Sequence, residues 1–252
     1  MTSNMERLPV WRVSEKGRDN IVDVVVTEFP LTITLNNHEV VTLLCSPTNL
    51  RYLAIGFLFS EGLIESKDDI KEIKVDGEGV VQVETKKGSL PSSGRLVTSG
   101  GGRGAPFYHQ AQAKVESDIE ISVGEAFTLV DDFVQRSAVF KATGGVHSAA
   151  LCDTKSILVF SEDIGRHNAI DKVFGECMLK DIPTAGRLVI TSGRVSSEIL
   201  LKVAKRDVPV LISKSAPTSM GVRLASDLGI TLIGFARGKK ANIYTNEWRV
   251  VA

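Results

Sequence analysis

The chain has 252 residues, of which 43% are hydrophobic, and it carries 30 basic and 30 acidic side chains. This balance argues against binding nucleic acid or a membrane surface through bulk charge, and no apolar run is long enough to span a bilayer. The first residues lack the apolar core of a signal peptide, so we expect a cytoplasmic protein with one large domain or two.

Residues 1–110 predict a small α+β domain. Apolar and polar residues alternate over 21–46, which predicts two strands joined by a turn at Asn36-Asn37-His38. Ser46-Pro47 offers a serine cap followed by proline at the first helical position. The apolar spacing after it predicts a helix that ends near Gly62.

Two shorter strands are predicted over 71–85, after which the composition changes. Residues 87–106 are rich in Gly and Ser, which indicates a linker or a mobile loop. Within it, 98–104 contains four glycines and one arginine. This loop fits a phosphate-cradling nest or a flexible hinge, and it lacks the lysine and the spacing of a P-loop.

Residues 111–252 predict an α/β domain. A helix is predicted over 122–142, with an apolar stripe on one face and a pair of glycines after its end. His147–Cys152 and 156–160 predict a hairpin of two strands, and a second helix is expected after Gly165.

Three apolar runs near the C-terminus each end in small polar residues and a cation. They are Leu188–Thr191 with Ser192-Gly193-Arg194, 210–212 with Ser213-Lys214-Ser215-Ala216-Pro217-Thr218, and 232–235 with Ala236-Arg237-Gly238-Lys239-Lys240. Amphipathic helical segments follow the first two runs, which predicts three parallel strands linked by helices. The carboxyl ends of parallel strands share one edge of the sheet, where open α/β folds bind ligands.

These turns predict a site for a phosphate-bearing ligand such as a nucleotide or dinucleotide. Small residues let backbone N–H groups approach an anion, and helix N-termini and cations favour negative charge. The same residue types also serve as ordinary caps and solvated turn residues. Because all three turns are predicted at one edge of the sheet, the interpretation as a ligand site is favoured over ordinary turns.

Residues 162–168 form the densest group of functional side chains in the sequence. Arg166 suits two-pronged binding of a phosphate, and His167 suits proton donation or a contact with a ring edge. Glu162 or Asp163 would accept a hydrogen bond from a guanine or hold Arg166 in place. An ordinary helix start would also explain the two acidic residues. It would not explain Arg166 and His167, so the interpretation as a site is favoured.

His147 has two equally supported interpretations. It follows Gly144-Gly145, which would place a second histidine near a glycine-rich turn of the site. It would equally be a half-buried histidine that follows the C-terminal cap of a helix.

With these residues identified, the chain resembles the formate dehydrogenase accessory sulfurtransferase family, FdhD. The matching motifs extend over nearly the whole chain and lie at 56–62, 143–147, 162–173, 192–194, 213–219 and 234–245. The resemblance implies a cytoplasmic homodimer whose larger domain has a cytidine-deaminase-like, three-layer α/β fold without zinc.

The resemblance also implies a ligand and two protein partners. Members of the family bind the bis-molybdopterin guanine dinucleotide form of the molybdenum cofactor, with GDP or GMP as partial mimics. They pass sulfur from a cysteine desulfurase to the cofactor before it enters the catalytic subunit of formate dehydrogenase. The family's cofactor-binding stretch corresponds to Phe235, Ala236, Arg237, Gly238, Lys239 and Lys240.

The sequence departs from this family at the sulfur carrier, which is a cysteine in a mobile Gly-rich loop. The corresponding loop, 99–104, contains no cysteine, and a persulfide needs an exposed, activated thiolate. Cys152 and Cys177 are expected in the core. Cys45 precedes the predicted helix start, whose positive end would activate a thiol, and is the best remaining candidate.

Two functions therefore remain open on sequence grounds. The chain is a sulfurtransferase for the cofactor that uses another thiol, or it is a cofactor-binding insertion chaperone without sulfur chemistry. A zinc deaminase, which fold analogy alone suggests, would need a Cys-x-x-Cys pair. None occurs, and the scattered cysteines and histidines predict no metal site.

Overall fold

The computed structural model describes residues 3–87 and 114–252. The Gly-rich segment for which a nest or a hinge was predicted lies outside the described residues. Within them, no helix combines the length and apolar character needed to cross a membrane.

The first part of the chain consists of two small sheets and one helix. Its elements are β1 (Met5–Ser14), β2 (Gly17–Val26), β3 (Phe29–Leu35), β4 (His38–Cys45), α1 (Leu50–Ser60), β5 (Ile70–Val75) and β6 (Val80–Thr85). Among the described strands, β1 and β2 pair only with each other, while the other four form a sheet in the order β4-β3-β6-β5. Asn36 and Asn37 adopt positive φ angles of 50° and 64°, as two-residue hairpin turns require, which confirms the predicted turn.

The predicted helix start at Ser46-Pro47 is wrong. Helix α1 begins at Leu50, and its N-cap residue is Asn49, at φ 56° and without a side-chain cap bond. Ser46 bonds instead to a distant segment, since its Oγ accepts from the Ile164 N–H at 3.2 Å and its N–H donates to Asp163 at 3.0 Å. The local sequence predicts Ser46 as a helix cap, but in the structure its polar groups bond to residues that are distant in sequence.

The second part of the chain is built around a six-stranded sheet. Its elements are β7 (Ile121–Ser122), α2 (Val123–Arg136), α3 (Ala138–Thr143), β8 (His147–Cys152), β9 (Ile157–Asp163), α4 (Arg166–Leu179), β10 (Leu188–Thr191), α5 (Ser197–Ala204), β11 (Val210–Ser213), α6 (Ser219–Asp227), β12 (Thr231–Arg237), β13 (Lys240–Thr245) and β14 (Val250–Val251). The strand order is β13-β12-β11-β10-β8-β9. Strands β10, β11 and β12 are parallel, as predicted.

Helices cover both faces of this sheet. Buried residues of α4, α5 and α6 pack in one apolar cluster on one side, and buried residues of α2 pack in another on the opposite side. The protein is thus a mixed α/β fold with several sheets. The more specific likeness to cytidine deaminases stays a prediction, as does a domain boundary near residue 110.

The helix predicted over 122–142 is broken into α2 and α3 at Ser137. The Ser137 hydroxyl donates to the Phe133 carbonyl at 3.1 Å and bonds to Ser148 Oγ at 2.9 Å. The Glu162 carboxylate accepts from the N–H groups of Val139 and Phe140 at 3.1 and 3.0 Å. These two N–H groups belong to the first turn of α3, so a side chain from β9 caps the new helix.

Helices α1 and α4 join the two parts of the chain through a very close backbone approach. A Cβ added at Gly56 would lie 1.8 Å from the Asp171 carbonyl oxygen, and one added at Gly175 would lie 1.9 Å from the Tyr52 carbonyl oxygen. Only glycine therefore fits at these two crossing points, because any side chain would push the helices apart.

Gly56→Ala tests this approach. The methyl group must separate α1 from α4, so we expect a loss of at least about 2 kcal/mol in the free energy of unfolding, measured with denaturant. Gly124→Ala is the matched control, because its added methyl group would lie 4.0 Å from the nearest atom, in the first turn of α2. Equal stabilities of the two variants would contradict close packing as the reason for glycine.

Candidate functional site: a cationic edge of the central sheet

The topology brings the predicted site segments to one edge of the six-stranded sheet. Strands β10, β11 and β12 are parallel and end at that edge. Strand β8 is antiparallel to β10, so it begins there with His147, and β9 ends there because Asp163 pairs with His147. Five chain segments that are distant in sequence thus converge.

Hydrogen bonds tie the first two turns together. The Ser213 hydroxyl donates to the Gly193 carbonyl at 2.7 Å, and the Lys214 N–H donates to the Thr191 carbonyl at 3.0 Å. Ser215 connects the second turn to the third, since its carbonyl accepts from the Phe235 N–H at 3.1 Å. The backbones of all three turns are therefore held as a unit.

Two of the predicted site hydroxyls have structural roles. Ser213 is fully buried and also accepts from the Ser215 N–H at 2.9 Å. Thr218 is the N-cap of α6, where its hydroxyl accepts from the Gly221 N–H at 3.1 Å. These oxygens shape the turns and are already bonded to the protein.

The third turn carries a bulky residue in a strained conformation. Phe235 has a φ of 52°, which is unfavourable for a large side chain and is typical of functional sites. Its ring is partly exposed and lies 5.8 Å from the Arg237 guanidinium. Ala236 is buried, whereas Arg237, Gly238, Lys239 and Lys240 are exposed.

Arg166 lies against the first turn. A Cβ added at Gly193 would lie 2.8 Å from the Arg166 Cβ and 3.2 Å from its Cδ, so glycine is what allows the arginine stem to pass. The Nε atom of Arg166 is buried, and among the described residues it has no hydrogen-bond partner. A buried donor without a partner is costly, and a ligand acceptor would satisfy it. Arg194, in the same turn, is exposed.

A cavity of about 290 Å³ opens between these segments. Its lining residues are Phe140, Gly144, Gly145, Val146, His147, Ile164, Ser192 and Lys214. His147 Nδ1 lies 3.2 Å from Ser192 Oγ, which also accepts from the Ser148 N–H at 2.9 Å. Burial, with help from the positive charge of Arg166, lowers the pKa of His147, so this ring is neutral at pH 7.

Sequence reasoning left His147 undecided and missed the apolar wall of Phe140, Val146 and Ile164. The structure places His147 in the cavity wall, which favours the interpretation as a site residue. The antiparallel pairing of β8 with β10 decides this, because it puts the first residue of β8 beside the turn after β10. A hairpin prediction alone did not reveal that neighbour.

His167 lies in surroundings that disfavour its protonated form. Burial and the positive charges of Lys202 and Arg166 lower its pKa to about 3. Its Nε2 lies 3.2 Å from the Glu198 carboxylate, but this carboxylate is exposed and does not offset those effects. His167 is therefore neutral at physiological pH, which favours the predicted contact with a ring edge over the predicted proton donation.

The structure gives Glu162 and Asp163 bonding partners within the fold. Glu162 caps α3. Asp163 is fully buried and accepts four hydrogen bonds, from Ser46, Gly165, Asn168 and Lys172. Both carboxylates are bonded within the fold, and among the described residues neither forms a salt bridge with Arg166.

The cysteines do not provide a reactive thiol at this edge. Cys45, Cys152 and Cys177 are all buried, and burial raises the pKa of each to about 12. The expectation for Cys45 is wrong because α1 starts five residues later and the nearby Asp163 charge raises its pKa further. A thiol in this state is neither ionised nor accessible.

Comparison with known proteins identifies related chains. The model of the FdhD/NarQ family matches residues 26–251. The sulfur carrier protein FdhD of Bacillus subtilis (strain 168) is 43% identical over 250 residues, which are 96% of this chain and 95% of the relative. The protein of the same name from Staphylococcus aureus (strain MRSA252) is 41% identical over 252 residues, with the same coverage.

A solved structure has the same fold over its full length. It is a formate dehydrogenase accessory protein from Desulfotalea psychrophila, with a TM-score of 0.85 and 26% sequence identity. The match covers 99% of this chain and 100% of that chain.

The low pKa of His167 predicts a pH-dependent stability. Below about pH 6.5 the unfolded chain takes up a proton at this position while the folded protein does not, so stability falls as the pH falls towards 3. Between pH 7 and pH 5 we expect the wild type to lose about 1–2 kcal/mol more than His167→Gln, measured by urea unfolding. His38→Gln is the control, since His38 is exposed on β4. The same pH dependence in wild type and His167→Gln would show that His167 is not held neutral.

Proposed function

Because this chain belongs to the FdhD/NarQ family, we propose that it is a formate dehydrogenase accessory protein whose cationic edge binds the bis-guanylated molybdenum cofactor. The observation that carries the proposal is a set of cations without carboxylate partners. None of Arg166, Arg194, Lys214, Arg237, Lys239 and Lys240 forms a salt bridge within the described part of the chain.

The charges at this edge suit a ligand with several phosphates. Lys214 is partly buried, and burial together with the nearby Arg237 charge lowers its pKa, so an anion placed between the two cations would relieve their repulsion. Glu162 and Asp163, the acidic residues nearest in sequence to Arg166, are already bonded within the fold. A cofactor with two guanine dinucleotide arms supplies the matching negative charge, and GDP or GMP would mimic one arm.

The adjoining cavity suits the remainder of such an arm. Its volume of about 290 Å³ and its apolar wall of Phe140, Val146 and Ile164 match a flat ring better than a phosphate. Phosphates on the exposed cations and a ring in the cavity would use both halves of the site. In this proposal the protein holds the cofactor and releases it to the catalytic subunit of formate dehydrogenase.

We propose holding of the cofactor, without covalent sulfur transfer, as the chemistry of this chain. The relatives are named sulfur carriers, but the cysteines here are buried thiols with pKa values near 12. The second candidate is sulfur transfer from a cysteine desulfurase through one of them after local opening. Its support is the 43% identity to a protein named for that activity.

A cytoplasmic location and a homodimer are part of the proposal. A homodimer would place two cationic edges in one particle, one for each guanylated arm of the cofactor. Neither point is needed for the binding experiment below, which measures one site per chain.

Removal of either of two cations should weaken nucleotide binding. We expect Arg237→Ala and Lys214→Ala each to raise the Kd for GDP about tenfold, because each loses a charge-assisted contact with phosphate. Isothermal titration calorimetry measures the change, and added salt should reduce the difference from wild type. Lys71→Ala is the control, since Lys71 lies on β5 in the other sheet, in an exposed pair with Glu84. Unchanged affinity in both site variants would overturn the proposed site.

Incubation with a cysteine desulfurase separates the two candidate functions. We expect anaerobic incubation with the desulfurase and cysteine to add no sulfur to Cys45, Cys152 or Cys177, since buried neutral thiols react poorly. Intact mass followed by peptide mapping measures this. The variant with all three cysteines changed to alanine should still bind GDP. An added sulfur that a reductant removes from one of these residues would establish the carrier function instead.

A further inference from the structure

Lys214 differs from the other buried and half-buried lysines of the described chain. Lys172 and Lys202 each form an ion pair with a buried aspartate, and Lys205 donates to a backbone carbonyl at 2.6 Å. Lys214 is also half-buried, yet no described residue forms a salt bridge with its ammonium group or accepts a hydrogen bond from it. Its amine is therefore open to a reagent, while the other three amines are occupied.

The surroundings of Lys214 favour the neutral form of its amine. Burial and the positive charge of Arg237 lower its pKa, and the cavity that it lines has an apolar wall of Phe140, Val146 and Ile164. A lysine that is desolvated, or that lies next to another cation, is activated as a nucleophile because more of its amine is unprotonated. Intrinsic nucleophilicity falls with the pKa, but, as for thiols, by less than the gain in the unprotonated fraction.

The same edge suits an electrophile that carries a phosphate. The charge of Arg237 acts on the Lys214 amine, and the bond from the Phe235 N–H to the Ser215 carbonyl holds their two turns together. Arg237 is exposed and forms no salt bridge within the described part of the chain, so its guanidinium is available to a phosphate. An acyl group attached to that phosphate would lie beside the amine, with the apolar cavity wall next to it.

We propose that Lys214 is a site of covalent modification, which accepts an acyl group from acyl phosphates. The neutral amine attacks the carbonyl carbon, the bond from that carbon to the phosphate oxygen breaks, and inorganic phosphate leaves with the electron pair. The amine loses a proton to solvent and becomes an amide, so no oxidant or reductant is needed. Acylation removes the positive charge of the lysine. It would thus weaken anion binding at this edge, a consequence that rests on the proposed function, whereas the acyl transfer itself does not.

Rates of acylation at individual lysines test the proposal. The folded wild type is incubated with acetyl phosphate, and peptide mapping by mass spectrometry follows each lysine with time. We expect Lys214 to be acetylated at least about tenfold faster than Lys205 or Lys71. Lys205 is the matched control, because burial also lowers its pKa but its amine is bonded to the Ser60 carbonyl. Lys71 represents an exposed lysine. A rate at Lys214 no higher than at these two lysines would overturn the proposal.

A second reagent separates the reactive amine from the phosphate contact. Acetic anhydride carries the same acyl group without a phosphate, so its reaction reports on the amine alone. Arg237→Ala changes the amine equally for both reagents, but only acetyl phosphate uses the guanidinium. We therefore expect this variant to slow the acetylation of Lys214 by acetyl phosphate about fivefold more than that by acetic anhydride. Excess inorganic phosphate should protect Lys214 of the wild type from acetyl phosphate. An equal effect of Arg237→Ala on both reagents would overturn the assignment of acyl phosphates as donors.

This inference and the proposed function fail in different ways. If Lys214 is acetylated selectively but the acetylated protein binds GDP as before, the modification site stands and the proposed contact of Lys214 with the ligand is wrong. If GDP binding depends on Arg237 and Lys214 but Lys214 is acetylated no faster than the control lysines, the proposed binding site stands and the acyl transfer is wrong.

Discussion

The buried ion pair between Asp163 and Lys172 is the interaction on which the rest of the structure depends. Both side chains are fully buried, and their charged atoms lie 2.6 Å apart. Lys172 also donates to the carbonyl of Ser46 at 3.1 Å, while Asp163 accepts from the Ser46 N–H. Two buried charges are tolerated only when further hydrogen bonds satisfy both groups. Here Ser46 supplies two of those bonds, so the segment after β4 must lie against the end of β9. The pair thereby links the two parts of the chain, beside the glycine crossing of α1 and α4.

The same pair sets the geometry of the site. Asp163 is the last residue of β9, and Arg166 follows three residues later as the first residue of α4. Bonds from Gly165 and Asn168 to the Asp163 carboxylate fix the turn between strand and helix, which directs Arg166 against Gly193. Because Glu162 and Asp163 are both bonded within the fold, neither of them forms an ion pair with the cations of the edge among the described residues. Residues 162–168 therefore contribute mainly the positive charge of Arg166 to the edge, because their two carboxylates are bonded within the fold.

The failures of sequence reasoning share one cause. Ser46 carries the local features of a helix cap, and residues 122–142 have the spacing of one helix, yet each is changed by a partner more than ten residues away. Ser46 bonds to the segment at Asp163, and the break at Ser137 is stabilised by Ser148 and Glu162. Cys45 was misjudged for the same reason, since its reactivity was inferred from a helix start that does not exist. Local patterns cannot show which of their polar groups a distant segment will use.

Apolar periodicity and turn chemistry are local properties, so the sequence was enough to predict the Asn-Asn hairpin turn, strands β8 to β12 and the three turns with their cations, but it did not reveal β1. It also determined the family, through motifs spaced over nearly the whole chain, and the absence of a loop cysteine. The tertiary structure was needed to show that His147 lies beside Ser192 and that Cys45 is buried, as Cys152 and Cys177 are. It also decided that the carboxylates of 162–163 are consumed by the fold. Those outcomes depend on strand order and on pairing between distant segments, which set burial and hydrogen-bond partners and leave no local trace in the sequence.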